Sequence, residues 1–367
     1  MRSYKRYFFS VAALAITAWA ASGVLAVAEN APPLTLTKTI ELSDIRSNQP
    51  DVSADQLAKN LTTTRMFGVQ NHFDHLTPDM KNGRLFIVPE DNKTIEVYDI
   101  RSGKFVHSIK GIGMGHSVVY RADIDRIFVT DGVDGDLKIF NGTTYELLKT
   151  VKLLADSDAT GYDPVTHNLY IADGGLDAKL DYTFLEIVNT DTGEKVGQIK
   201  IDSNRLEAMV LEKGGSRLFL NMTEKNSIGV IDRQKQEVVA VWPLTCKVNS
   251  DVALDEKNHR LFAACRDGNL NVLDSDTGKV LQNLPISTGV DDMTYDPETQ
   301  RIYVSAGAGF INVYKQIDPD HYQSLGNVPT GPLSKTGLLV PQLNQFFAAV
   351  PPHGTTPAKI LVFAVNK

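Results

Sequence analysis

From about residue 64 to residue 367 the chain is a succession of short runs in which hydrophobic and polar positions alternate, broken by Gly, Asp, Asn or Pro. A period of two marks strands, and the breakers mark tight turns between them. The clearest unit runs from Gly289 to Val304. Polar Asp291 and Asp292 lead into an apolar run, an Asp296-Pro297 turn and the strand Arg301-Ile302-Tyr303-Val304. The β-branched and aromatic residues of that strand suit a pleated, buried surface.

The unit recurs through the chain. The residue before each aromatic-bearing strand is Arg84, Arg126, Asn168, Arg217, Arg260, Arg301 and Gln345, at steps of 42, 42, 49, 43, 41 and 44 residues. A third strand follows each, such as Ile95-Glu96-Val97-Tyr98 or Ile228-Gly229-Val230-Ile231, and a turn such as Asp276-Thr277-Gly278-Lys279 leads to a fourth. Four short antiparallel strands in roughly 43 residues make one propeller blade. Seven copies therefore predict an all-β, seven-bladed β-propeller over residues 64–367.

The seventh copy stops after its third strand. A lone alternating strand, Leu34 to Leu42, echoes the fourth strands: Lys38-Thr39-Ile40-Glu41-Leu42 matches Lys149-Thr150-Val151-Lys152-Leu153. It is expected to complete blade seven, within a 29–63 segment of closing strand and connector, and so to hide two strand edges. The connector is polar, with a short helical turn expected around Ala54 to Lys59. The extra residues of the third copy fall mainly in a loop from Asp173 to Thr183.

Residues 1–28 read as a cleaved secretory signal: basic Arg2, Lys5 and Arg6, an apolar run from Val11 to Val27, and the small-residue site Ala26-Val27-Ala28. An uncleaved anchor helix is the alternative. No Cys follows the cleavage site, which argues against a lipoprotein, and no later stretch approaches the length of a membrane span. The expected address is periplasmic or secreted, and a monomer is expected.

Composition is ordinary for a globular chain, with 42 % hydrophobic and 22 % charged residues. Loss of the leader takes the formal charge from −7 to −10, because three basic and no acidic residues leave. An acidic body disfavours nucleic acid as a partner, since phosphate affinity comes mainly from Lys and Arg. The two cysteines, Cys246 and Cys265, flank one hairpin and are candidates for a disulfide in an exported protein.

The Arg-Ile-Tyr-Val-like strands, the Asp-Thr-Gly-Lys turns and the repeat length resemble the YVTN-repeat, YncE-like β-propellers of bacteria, over residues 64–367. Phe73-Asp74-His75-Leu76, Gly289-Val290-Asp291-Asp292 and Asp318-Pro319-Asp320-His321-Tyr322 are similar to runs in exported members. The resemblance implies a seven-bladed propeller and a periplasmic address. It implies no single activity.

First strands line a propeller's channel, so residues at one register of the repeat converge in a ring. Ten residues before each anchor stand Asp74, His116, Asp158, Glu207, Ser250, Asp291 and Lys335; the next register holds His75, Ser117, Ala159, Ala208, Asp251, Asp292 and Thr336. Strand alternation predicts that only one register points inward. Two readings compete: polar residues lining a wet channel mouth, or a binding site for a small molecule or protein using Asp74, His75, His116, Asp158, Glu207, Asp251, Asp291, Asp292 and Lys335.

Clustered carboxylates repel one another, so a divalent cation is a natural cofactor. Oxygen donors suit Ca²⁺, whereas His72, His75 and His116 near Asp74 suit Zn²⁺. A metal-dependent hydrolase of lactonase type, holding its cation with Glu207, Asn249 and Asp291, is the enzymatic alternative. No catalytic motif supports it: Ser117 has no nucleophile elbow, and Gly111, Gly113 and Gly115 lack the context of a dinucleotide site. Those glycines are expected at an inter-blade crossing, Trp242 against the next blade, and His353 in an exposed loop. A quinoprotein role has no supporting residues. DNA binding, suggested by the YncE resemblance, conflicts with the acidic charge. The periodic Asp99, Asp232 and Asp274, and Asp79, Asp163, Asp255 and Asp296, are expected to build turns.

Overall fold

The structure is a computed structural model that describes residues 31–47, 53–63 and 72–366. The expected leader at 1–28 lies outside them. The described strands form seven four-stranded antiparallel sheets, a seven-bladed β-propeller. Six blades follow chain order. Blade one comprises Phe73–Asp79, Arg84–Pro89, Thr94–Asp99 and Phe105–Lys110, and blade six Val290–Asp296, Arg301–Ala306, Phe310–Asp318 and His321–Pro329. In blade seven the strand Leu34–Leu42 lies outermost, antiparallel to Ala358–Val365.

Burial falls outward across a blade. Arg84–Pro89 is wholly buried, whereas in Phe105–Lys110 only Ile109 is. Second strands meet blades on both faces and so carry an unbroken apolar run after their first residue, such as Leu85-Phe86-Ile87-Val88 or Ile302-Tyr303-Val304. Each carries an aromatic ring at the same position, Phe86, Phe128, Tyr170, Phe219, Phe262, Tyr303 and Phe347, all buried. Burying one such ring contributes roughly 1.5–3 kcal/mol. Phe86, Val88 and Val97 pack on Val118, Ile127 and Phe140 of blade two. The ring closes as Ile40, Leu42, Phe347 and Ile360 meet Phe73, Leu85 and Ile87.

Turns account for the periodic acids. The residue before the second strand is left-handed at Gly83, Asp125, His167, His259, Gln300 and Asn344, with φ between 50° and 69°. Asp79 accepts hydrogen bonds from the Lys81 and Asn82 amides of that turn, and Asp163, Asp255 and Asp296 accept the corresponding bonds in theirs. Asp99, Asp232 and Asp274 do the same between third and fourth strands.

The predicted strict alternation fails in the first strands. Their pairing shifts register between Phe73 and Leu76, Gly115 and Val118, Leu206 and Met209, Asn249 and Asp251, and Val290 and Asp292. A bulge at the channel end re-aims side chains, so neighbours there no longer face strictly apart.

Cys246 and Cys265 form a disulfide that ties the entry of blade five to the end of its second strand. At the crossing into blade two, Asp131 accepts from the Gly113 and Met114 amides, and Lys138 joins Asp131 to the Gly111 carbonyl. The Trp242 ring lies over Gly278 of blade five, where a Cβ would come within 2.2 Å of it. His353 is exposed.

Candidate functional site

The first strands deliver charged side chains to one end of the channel, around a cavity of about 270 Å³. Asp74, His116, Asp158, Glu207, Asp291 and Lys335 of the ring register all line it. Ser250 does not; its hydroxyl donates to the Val290 carbonyl. Asp156 and Arg205, two residues before the ring register and ahead of their first strands, line it too, as do His72 and Met114 at that position in blades one and two. Glu90 and Arg266 come from the ends of second strands, and Asp177 from the blade-three loop.

Seven carboxylates thus face three fixed cations and two histidines. The cations are all engaged. Lys335 and Arg266 both bind Asp291, and Arg205 lies 3.3 Å from Glu207, 3.7 Å from Asp156 and 3.8 Å from Asp177. On the far side of the mouth the histidines do this work. His116 Nδ1 meets Asp74 Oδ2 at 2.7 Å and Asp158 Oδ1 at 3.7 Å, while His72 Nε2 meets Glu90 Oε1 at 2.7 Å.

Protonation follows from these partners. Burial works against ionisation at Asp74, but His75, the hydrogen bond from His116 and the Lys335 charge hold it well below the usual carboxylate range. Burial likewise opposes ionised Glu90 and Asp291; the His72 charge lowers the first, and Lys335 with Arg266 the second. Burial pushes Asp158 up to about 8, with Asp74, Glu207 and Asp156 repelling its charge and His116 only partly offsetting them. Burial also raises Glu207 despite Arg205 and Arg266. For His116 burial disfavours the cation, yet Asp158 and Asp74 raise it to about 10.

The second register forms its own cluster beside the first. His75 Nδ1 lies 3.0 Å from Asp292 Oδ1, and its Nε2 lies 3.6 Å from Asp74. Asp292 also accepts the Gly337 amide, and Asp251 accepts the Val252 and Met293 amides. Burial and Asp292 raise Asp251 well above its ordinary value. None of His75, Asp251 and Asp292 lines the cavity, which takes residues from the ring register and not from the next one. Ser117 has a structural role, its hydroxyl 2.8 Å from that of Thr160.

The structure does not assemble the expected lactonase-like set. Asn249 is fully buried away from the cavity, its amide donating to Asn221 Oδ1 at 2.7 Å and to the Ser227 carbonyl at 3.0 Å. Its register, eleven residues before the anchor, faces away from the mouth, as do Phe73, Leu206 and Val290 at the same position. Asp291 is taken up by its two cations. Among the described residues, one group brings metal-binding atoms within 4.8 Å of one another: Asp74, Glu90 and His116.

Glu90, Asp156, Asp177, Arg205 and Arg266 were not among the expected site residues. Two periodic signals mark four of them: the position twelve before the anchor holds Asp156 and Arg205, and the position six after it holds Glu90 and Arg266. Asp177 sits in an insertion that no other blade has.

A described part of the connector reaches the same rim. The helix Ala54–Leu61, capped by Ser53 accepting from the Gln56 amide, brings Leu61 against blade six. A Cβ on Gly289 or Gly307 would lie 2.6 or 2.9 Å from Leu61 Cδ2, so these glycines make its seat. Arg266 then donates to the Thr63 carbonyl at 2.7 Å while its other arm holds Asp291. A larger cavity of about 830 Å³ lies at the opposite end of the first strands, between the turns of blades three and four, with Gly161, Met209 and Leu211 in its wall.

No family model matches the chain, and no curated protein matches it. Among solved structures, it is similar to a chain of Kuenenia stuttgartiensis hydrazine synthase, with a TM-score of 0.69 and 15% identity, covering 83% of this chain and 100% of that one. At that identity the likeness concerns the fold. No helix among the described residues is long and apolar enough to cross a membrane.

Proposed function

We propose that this chain is an exported binding propeller that receives a small polar ligand of net positive charge at the mouth of its channel. The carrying observation is the convergence of residues in or just before the first strands of six blades on one buried cavity, where seven carboxyl groups outnumber three fixed cations and two histidines. A preorganised cavity lined by opposed charges recognises a ligand without any chemical step. The leader pattern and the Cys246–Cys265 bridge support an exported protein. The resemblance of the repeat to YVTN, YncE-like propellers supports the same address.

The hydrolase reading is weaker because Asn249 is committed to Asn221 and Asp291 to Lys335 and Arg266. The test is a melting-temperature screen, in chelator, of small organic cations, zwitterions and anions. Cations or zwitterions should raise the transition, and Glu207→Gln should weaken the effect. A response confined to anions, or none at all, would overturn the reading.

A further inference from the structure

We propose that Asp74, Glu90 and His116 bind one divalent transition-metal ion of the zinc class, with His72 orienting Glu90 from behind. This rests on the mouth being a cation-receiving site and names the ligand. The three residues come from three separate elements: the first strand of blade one, the turn after its second strand, and the first strand of blade two. All three are buried, at 7, 6 and 6 % exposure, and their donor atoms fall within 4.8 Å of one another. Tetrahedral sites with bonds of ~2.0–2.1 Å place ligand atoms roughly 3.3 Å apart, so small rotations of these side chains suffice.

The donor chemistry selects the metal. Two carboxylates with an imidazole suit Zn²⁺ and its neighbours, whereas Ca²⁺ and Mg²⁺ prefer all-oxygen cages. Three protein donors opening on a cavity leave a position for an exchangeable ligand, as in zinc sites that act on other molecules.

The surroundings fit. His72 lies 2.7 Å from Glu90, the outer partner that orients a ligating carboxylate. His116 turns Nδ1 to Asp74 and His72 turns Nε2 to Glu90, so each ring aims one nitrogen at the carboxyl pair, while His116 Nε2 and His72 Nδ1 on the far edges are buried and meet no hydrogen-bond partner. Gly132 gives the His116 ring its room, since a Cβ there would stand 2.6 Å from Nε2. Lys335 directs its ammonium to Asp291.

The experiment is titration of the chelator-treated full chain with Co²⁺, followed by its d–d absorption, and with Zn²⁺ and Ca²⁺ by calorimetry. One Co²⁺ or Zn²⁺ should bind per chain, at least ~100-fold more tightly than Ca²⁺. His116→Ala and the near-isosteric Glu90→Gln should each weaken Zn²⁺ by at least ~100-fold, and His72→Ala by ~10–100-fold. Asp202→Asn, on the exposed surface, should change nothing. A melting curve of each metal-free variant separates lost binding from lost folding, and Glu90→Gln carries the test if His116→Ala does not fold. Absence of saturable Co²⁺ or Zn²⁺ binding, equal affinity for Ca²⁺, or wild-type affinity in a folded Glu90→Gln protein would overturn the metal site. If organic cations still shift the melting temperature in that case, the binding reading stands alone; if they do not, both fall.

Discussion

His116 meets Asp74 at 2.7 Å across the boundary between blades one and two, and both side chains are buried. Removing one member of such a pair strands the other without its partner, which costs about 3–5 kcal/mol. Asp74→Ala should therefore destabilise the protein by ~3 kcal/mol or more in urea denaturation. The double variant Asp74→Ala/His116→Ala should lose less than the sum of the two singles, by ~1–3 kcal/mol. Strict additivity would show that the two do not act as a pair.

Leu61 tests the docking of the connector. Leu61→Ala should raise hydrogen exchange across 53–63 while leaving the melting temperature of the ring nearly unchanged, because only the helix loses its seat. Gly307→Ala should do the same from the other side, since its Cβ would enter the space of Leu61 Cδ2. Unchanged exchange in both variants would mean that Arg266 and Thr63 hold the helix by themselves.

Asp173 sets a pH dependence away from the mouth. Burial pushes its carboxyl up to about 7, against the Leu154 amide and Lys195 and together with repulsion from Glu186 and Asp156. Its Oδ1 is buried and unpartnered. A carboxyl raised in the folded state holds its proton there while the unfolded chain has already released it. Stability from this group is therefore full below about pH 4, falls as pH rises towards 7 and is level above. Asp173→Asn should be more stable than the parent at pH 8 by roughly 3 kcal/mol and should show no gain at pH 4. Equal midpoints at pH 8 would refute this.

The Cys246–Cys265 bridge closes a loop across a sequence separation of 19. A loop of that size restricts the unfolded chain by an amount worth about 3 kcal/mol. Reduction should lower the urea midpoint accordingly, without changing the seven-bladed fold seen by circular dichroism. An unchanged midpoint would mean that the bridge adds nothing the packing does not already supply.

The blades were legible because one demand repeats: every second strand lies between two neighbours, and Phe86, Tyr170, Tyr303 and their equivalents answer it in the same way. The ring register was legible for the same reason, and Asp74, His116, Asp158, Glu207, Asp291 and Lys335 do meet at one cavity. Asn249 was misplaced by one residue of register, which on a strand is the difference between the mouth and the blade interior. His75 and Asp292, one register on, pair with each other outside that cavity, beside the bulges that interrupt their strands. Asp177 obeys no period. The pairing of Arg266 with both Asp291 and Thr63 depends on tertiary placement that spacing does not encode.

The closing strand also bears on the order of events during folding. Thr37 donates to the Val362 carbonyl across a separation of 325 residues, and the whole strand Leu34–Leu42 pairs at that remove. Blades one to six can each form from contiguous chain, whereas this sheet waits for Ala358–Val365 to be made. Contacts so distant in sequence form slowly, because the intervening chain must first be brought together. Until then Ile40 and Leu42, later buried, have no sheet to join, and the edge at Ala358–Val365 has no cover. Ring closure is thus the step at which an incomplete chain is open to pairing with another copy of itself, and the segment translated early is among the last to find its place.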